Sequence, residues 1–215
     1  MRTKRYKTIL FDMDGTLADT DQMLIASMND LYDRFNDGKR RPVEEMYYFS
    51  GPPIKQTLAK EFPQLDLEFI FQEFLKVSRP YYDTHVFIFD YEKEVLLRLK
   101  EAGIRLGVVT NKTHELTMVT IKNIGLEGVF DVVIGYDDVK NIKPNKEGII
   151  KACNLLSGDL KTTLYLGDNA IDLETANNAG VDCCLVNWGP RVLADDVKPK
   201  YKINSYLELE DIVYE

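Results

Sequence analysis

The sequence predicts a doubly wound α/β fold, a parallel sheet with helices on both faces, interrupted once by a small all-helical insertion. Three observations lead there. Short, continuously apolar runs mark strands buried on both faces, as a covered parallel sheet demands. Helical apolar patterns separate those runs, which gives the strand–helix alternation of a Rossmann-like topology. Between the first run and the second lie roughly 90 residues, where a single crossover helix needs only about a dozen.

Each element has its own justification. The first strand, Thr8–Phe11, passes directly into Asp12–Met13–Asp14–Gly15–Thr16. Residues 18–87 then carry helical patterns and two proline-marked turns. Pro52–Pro53, after Ser50–Gly51, open a helix running to Phe62, and Pro63 stops it. A second long helix covers Asp66 to Tyr82. Loops beyond about 15 residues rarely lack structure of their own, so 18–87 reads as a helical domain inserted into a core formed by 1–17 and 88–215. Its hinges fall at Ala18–Thr20 and Val86–Asp90. In the core, Asp90 is placed to cap a helix that shows Val95, Leu99 and Ala102 on one face and closes at Gly103. Ile104–Val109 and Val132–Ile134 are the next two strands. Ile149, Ala152, Cys153 and Leu156 recur at i, i+3, i+4 and i+7, a helix face. Thr163–Leu166 is the fourth strand, Leu173, Ala176 and Gly180 mark a helix ending in glycine, and Cys183–Val186 is the fifth strand.

Composition narrows the function. The 215 residues are 45% hydrophobic and 29% charged, enough to bury a core without staples. A net charge of −8 argues against nucleic acid, whose phosphates want a basic surface. The cysteines Cys153, Cys183 and Cys184 are odd in number, fit no disulfide framework, and read as small buried apolar residues of a reducing compartment. The basic N-terminus is followed by Ile9–Leu10–Phe11 and then Asp12, too short an apolar stretch for a secretory signal. No run approaches the roughly 20 apolar residues of a membrane span. The expectation is a cytoplasmic protein, monomer or weak dimer, with neither nucleic acid nor membrane as partner.

In a doubly wound sheet, ligands sit beyond the carboxyl ends of the strands. There the sequence places Asp12, Asp14 and Gly15, then Thr110, Asn111 and Lys112, then Lys143–Pro144, and finally Asp168 and Asn169 with Asp172 one helical turn on. Any single Asp or Asn after a strand serves as readily to cap a helix or form a turn. Four carboxylates and a lysine on one edge, however, repel or desolvate badly unless a cation and an anion lie among them. A hard divalent ion with oxygen ligands, Mg2+, suits carboxylates paired with a phosphate, and Lys143 then faces the phosphate.

These residues resemble the haloacid dehalogenase superfamily: Asp-x-Asp-Gly-Thr after the first strand, Thr110 after the second, Lys143–Pro144 before the fourth, and Gly167–Asp168 with Asp172 after it. The resemblance spans essentially the whole chain and makes the insertion a type 1 cap. It implies a phosphatase acting on a small phosphorylated metabolite, with Asp12 as nucleophile forming an aspartyl-phosphate. It implies that Asp12, Asp168 and the Asp14 carbonyl hold Mg2+, that Thr110, Asn111 and Gly15 meet the phosphoryl oxygens, and that Lys143 supplies a positive charge. Asp172 is expected to orient Lys143 or metal-bound water. An aspartate at position 14 points to ester or anhydride chemistry. A departing oxygen needs a proton, and a carboxyl beside another negative charge can keep one.

The cap loop Gly51–Pro52–Pro53 aligns with the loop that faces the nucleophile in relatives, so Gly51, Pro52 and Lys55 are substrate-contact candidates. A phosphoglycolate-like phosphoester stands first, and pyrophosphate beside it, because Asp137–Asp138–Val139 and Gly167–Asp168–Asn169 resemble a bacterial pyrophosphatase branch. A sugar phosphomutase fits less well, since no arginine closely follows Gly51. A non-catalytic phospho-ligand binder would be expected to have lost Asp12, Asp14, Lys143 or Asp168, and all are present. Lys55 on a predicted helix also reads as a solvated face residue. His85 and His114 lack metal-pair spacing, Trp188 reads as packing or cleft lining, and Glu208, Glu210 and Asp211 form the wet face of a terminal helix.

Overall fold

The computed structural model describes residues 3–191 and 197–214. Six parallel strands run in the order β3-β2-β1-β4-β5-β6. They are β1 (Thr8–Phe11), β2 (Arg105–Val109), β3 (Val132–Ile134), β4 (Thr163–Gly167), β5 (Asp182–Val186) and β6 (Tyr201–Ile203). The chain starts in the middle of the sheet and winds outward both ways, which leaves the ends of β1, β2 and β4 side by side.

Alternation along each buried strand feeds two separate cores, because successive side chains point to opposite faces. Ile9, Phe11, Leu106, Val108, Leu164 and Leu166 pack on one face, with helix α5 (Glu92–Glu101), α6 (His114–Asn123) and α9 (Leu207–Val213). Leu10, Val109, Tyr165, Cys183 and Leu185 pack on the other, against α7 (Glu147–Leu155) and α8 (Ala170–Ala179). Cys153, Cys183 and Cys184 are buried and unbridged.

The inserted segment has its own core. Leu24, Met28, Leu31 and Tyr32 of α1 (Asp21–Phe35) pack on Ile70, Phe74 and Val77 of α4 (Leu67–Tyr82). A short α2 (Val43–Met46) and α3 (Ile54–Glu61) complete it, with Tyr32 against Phe62 at 5.4 Å between ring centroids. Asp66 caps α4 by accepting from Phe69 N (2.9 Å). The two connections to the sheet are bonded to each other: Asp19 N donates to Phe87 O (2.8 Å) and Phe87 N to Asp19 O (3.1 Å). None of the described helices is long and apolar enough to cross a membrane.

Two expectations need correction. The cap of α5 is Tyr91, in the left-handed region at φ 62°, rather than Asp90; Glu92 turns inward to accept from Phe89 N (3.2 Å). A sixth strand, β6, extends the sheet beyond the five foreseen. It is a three-residue edge strand whose middle residue, Lys202, is exposed, so no apolar run announces it.

Candidate active site

β1 stays tied to the sheet through Asp12, whose N donates to Leu166 O (2.9 Å). The chain then turns sharply, with Leu17 N and Ala18 N both donating to Met13 O at 2.9 and 3.0 Å. Gly15 sits in this turn at φ +80°, and a Cβ there would meet Asp168 Oδ2 at 2.3 Å. Only glycine lets the ends of β1 and β4 approach so closely.

Lys143 joins the strand ends electrostatically. Its backbone N donates to Asn111 Oδ1 (3.1 Å), and its Nζ lies 2.8 Å from Asp12 Oδ1 and 2.7 Å from Asp172 Oδ1. The Tyr165 hydroxyl, 3.2 Å from the same Nζ, donates onward to Val109 O (2.8 Å). Asp172 Oδ2 accepts from the backbone N of Asp168 (3.2 Å) and of Asn169 (3.1 Å), so one carboxylate fixes Lys143 and caps α8 together. Asn169 accepts from Ile171 N (3.3 Å) and is a helix cap. Burial pushes Asp12 up to about 6, with Lys143 opposing and Asp172 adding. Burial also lifts Asp168 well above the carboxylate range, against the pull of a nearby arginine. For Lys143 burial acts downward, yet Asp12 and Asp172 together carry the ammonium above its ordinary value.

Asp12, Asp168 and Asp172 each bring a carboxylate oxygen within 4.8 Å of the others. Both oxygens of Asp172 are engaged by Lys143 and the amides, whereas the buried Asp12 Oδ1 and Asp168 Oδ2 are held by ion pairs alone, to Lys143 at 2.8 Å and Arg191 at 3.1 Å, with no aligned hydrogen bond among the described residues. Buried carboxylates whose oxygens come within 4.8 Å of one another, two of them free of aligned hydrogen bonds, offer the oxygen donors a hard cation takes, so the residues present fit a divalent ion. The Asp14 side chain points elsewhere. Its Oδ1 accepts from Thr20 Oγ1 and from Lys112 Nζ, both at 2.8 Å, so the expected negative neighbourhood includes a cation. Burial would draw the Lys112 ammonium down, but Asp14 and Tyr82 raise it above its usual value.

A cleft opens over these groups, lined by Asp12, Asp14, Lys112 and Tyr136 below and by Gly51, Pro52 and Lys55 of the insertion above. Thr110 and Asn111 line it too, and Asn111 Nδ2 donates to Gly51 O (3.2 Å), fastening the cap loop to the sheet edge. Lys55 lines the cleft and is paired with Glu68 (2.8 Å) over the Phe71 ring. His85 contacts Thr84 and His114 contacts Asp138, so neither joins the site. Trp188 is stacked between Phe89 and Tyr206, at 5.3 and 4.9 Å, outside the cleft lining. On the terminal helix, Glu210 holds Arg98 (2.9 Å).

Two residues escaped the sequence reading. Lys112 stands in the strand-end sequence but carried no assigned role. Arg191, in Gly189–Pro190–Arg191 just past β5, is buried, with its guanidinium 2.6 Å from Asp21 and 3.1 Å from Asp168. The only signal was position, an arginine at the carboxyl edge of the sheet.

Comparison with known proteins agrees with this geometry. The family model for haloacid dehalogenase-like hydrolases matches residues 9–186. Pyrophosphatase PpaX of Halalkalibacterium halodurans is 34% identical over 211 residues, covering 96% of each chain. A Bacteroides fragilis structure described as a haloacid dehalogenase-like hydrolase superposes with TM-score 0.85 at 26% identity, over 95% of this chain and 99% of that one. A predicted phosphoglycolate phosphatase from Haemophilus somnus shares the fold with TM-score 0.89 at 21% identity, over 98% and 99% of the two chains. By sequence, by topology and by the residues gathered at its strand ends, the chain belongs to the haloacid dehalogenase-like hydrolases.

Proposed function

We propose that this chain is a Mg2+-dependent phosphatase that hydrolyses a small substrate with an anionic leaving group, pyrophosphate first and phosphoglycolate second, through an aspartyl-phosphate on Asp12. The observation that carries the reading is Lys143 held between Asp12 and Asp172, with Asp168 bringing a further buried carboxylate within 4.8 Å of both. Residues 18–87 act as the cap over this site.

Asp12 and Asp168, with the Asp14 carbonyl, are the proposed holders of Mg2+, which when bound neutralises charge on the transferring phosphoryl group. Lys143 keeps Asp12 ionised against its burial, ready to attack phosphorus in line. Asp14 delivers a proton to the departing oxygen and then takes one from the water that hydrolyses the aspartyl-phosphate. Thr110 offers its hydroxyl to the phosphoryl oxygens, Asn111 its amide once released from Gly51, and the Gly51–Pro52 loop helps exclude bulk water.

The substrate class follows from Lys112. Its ammonium sits on Asp14, where the leaving oxygen must come, so a leaving group bearing negative charge is favoured. Phosphate and glycolate both qualify. Pyrophosphate takes precedence because the relative named for it is 34% identical over nearly the full length. A mutase is disfavoured because no arginine closely follows Gly51.

A phosphate-release screen of pyrophosphate, phosphoglycolate, sugar phosphates, nucleotides and an aryl phosphate tests this. About tenfold preference for pyrophosphate or phosphoglycolate, or roughly 1.4 kcal/mol of transition-state binding, is the expected result. Lys112→Met lowers that preference, and Asp12→Asn abolishes turnover. Aryl phosphate hydrolysis retained by Asp12→Asn rules out the covalent route, and a binder without turnover releases no phosphate from any of them.

A further inference from the structure

Arg191 has no part in the chemistry above, yet it is buried against one of the proposed metal ligands. It follows Gly189–Pro190 at the sheet edge where β1 and β4 end, and it reaches both ways. One Nη donates to Asp21 Oδ1 at 2.6 Å and the other lies 3.4 Å from Asp21 Oδ2, a two-pronged grip on the first residue of α1. The second Nη is also 3.1 Å from Asp168 Oδ2, and it would be 3.2 Å from a Cβ on Gly15, so it fills the space beneath the turn after β1.

The two contacts differ in quality. The pair with Asp21 is aligned and bidentate, the strong arrangement for a guanidinium. The contact with Asp168 is an ion pair without hydrogen-bond alignment at Asp168 Oδ2. Asp21 is therefore the anchor, and Asp168 the partner that can be given up. A divalent ion on Asp168 repels the guanidinium and contends for the same lone pairs.

Building on the divalent-cation reading, we infer that Arg191 is the resident counter-cation of Asp168 in the metal-free protein, and that it yields this carboxylate to the metal while staying anchored on Asp21. It is a positioning residue. Metal loading then turns the guanidinium about its Asp21 anchor and changes the charge balance at the end of β5, and a reporter is built in: Trp188, the chain's single tryptophan, lies three positions earlier, stacked on Phe89 and Tyr206.

The test titrates Mg2+ into the metal-stripped full-length protein, followed by calorimetry and by Trp188 emission. In the wild-type chain, heat and emission change saturate together. Arg191→Gln binds Mg2+ about tenfold more tightly, since a competing charge is gone, and loses the emission change. Arg191→Lys, which keeps the charge, returns affinity toward wild type. A melting series guards against a merely unstable variant: metal-free Arg191→Gln melts below wild type, and Mg2+ raises its Tm by more. Equal or weaker Mg2+ binding by Arg191→Gln overturns the inference, as does wild-type Trp188 emission that ignores saturating Mg2+. Absence of any Mg2+ binding by the wild-type chain overturns the divalent-cation reading with it, so the two failures are told apart.

Discussion

Replacing Lys143 by Met should expose how much of the site is held by one cation. The Nζ lies 2.8 Å from Asp12 and 2.7 Å from Asp172, and the three side chains are 3%, 3% and 0% exposed. At an effective dielectric near 20, each contact is worth about 6 kcal/mol of Coulomb energy, much of it offset by burying the charges. What the substitution removes is the compensation. Two buried carboxylates are left facing each other, and breaking a buried pair in this way costs about 3–5 kcal/mol. For a chain of this size each kcal/mol lowers Tm by roughly 2–4 °C, so the metal-free variant should melt about 6–20 °C below wild type. Urea and thermal unfolding at pH 7.5 measure this, alongside phosphate release, which should vanish. Adding Asp172→Asn removes one of the two stranded charges while keeping an acceptor for the α8 amides. The double variant should therefore regain about half the lost stability and none of the activity. A Lys143→Met protein that melts within about 2 °C of wild type refutes the reasoning, and so does further destabilisation by Asp172→Asn in that background.

Two other outcomes follow from the geometry. Gly15→Ala places a methyl 2.3 Å from Asp168 Oδ2 at φ +80°, and displacement of that carboxylate should cut turnover about 100-fold, measured as kcat for aryl phosphate; activity within threefold of wild type would contradict it. Glu92 is fully buried, and burial raises its carboxyl well above the ordinary value, with the Phe89 amide opposing. The folded state then loses stability as pH rises from the ordinary glutamate value through the raised one, so Glu92→Gln should stabilise the protein by about 1–3 kcal/mol at pH 8 and by almost nothing at pH 4 in urea titrations.

The legible part of this protein was its periodic part. β1 matches its run residue for residue because a strand buried on both faces has no polar alternation to blur it, and β3, a partly buried edge strand, matches because its three residues are all apolar. The strand-end rule brought Asp12, Lys143, Asp168 and Asp172 together in advance, since topology alone decides which loops share an edge. β6 was invisible because a three-residue edge strand can expose a lysine on its wet side. Arg191 was invisible for another reason. Its partners, Asp21 and Asp168, lie 170 and 23 positions away in sequence, and no local pattern encodes pairings at that range. Asp14 was identified by its spacing, but its bond to Lys112 depends on how the ends of β1 and β2 are juxtaposed in space.

The reciprocal hydrogen bonds between Asp19 and Phe87 have a mechanical meaning. Two strands of chain stitched side by side would act on the proposed cap like a door hinge with a fixed pin: rotation about that line keeps both bonds, whereas sliding or twisting would tear them. Opening of the proposed cap over Asp12 would thereby be reduced to a single angle. A bulky residue near the pin would change how far the door swings without touching what happens in the room behind it.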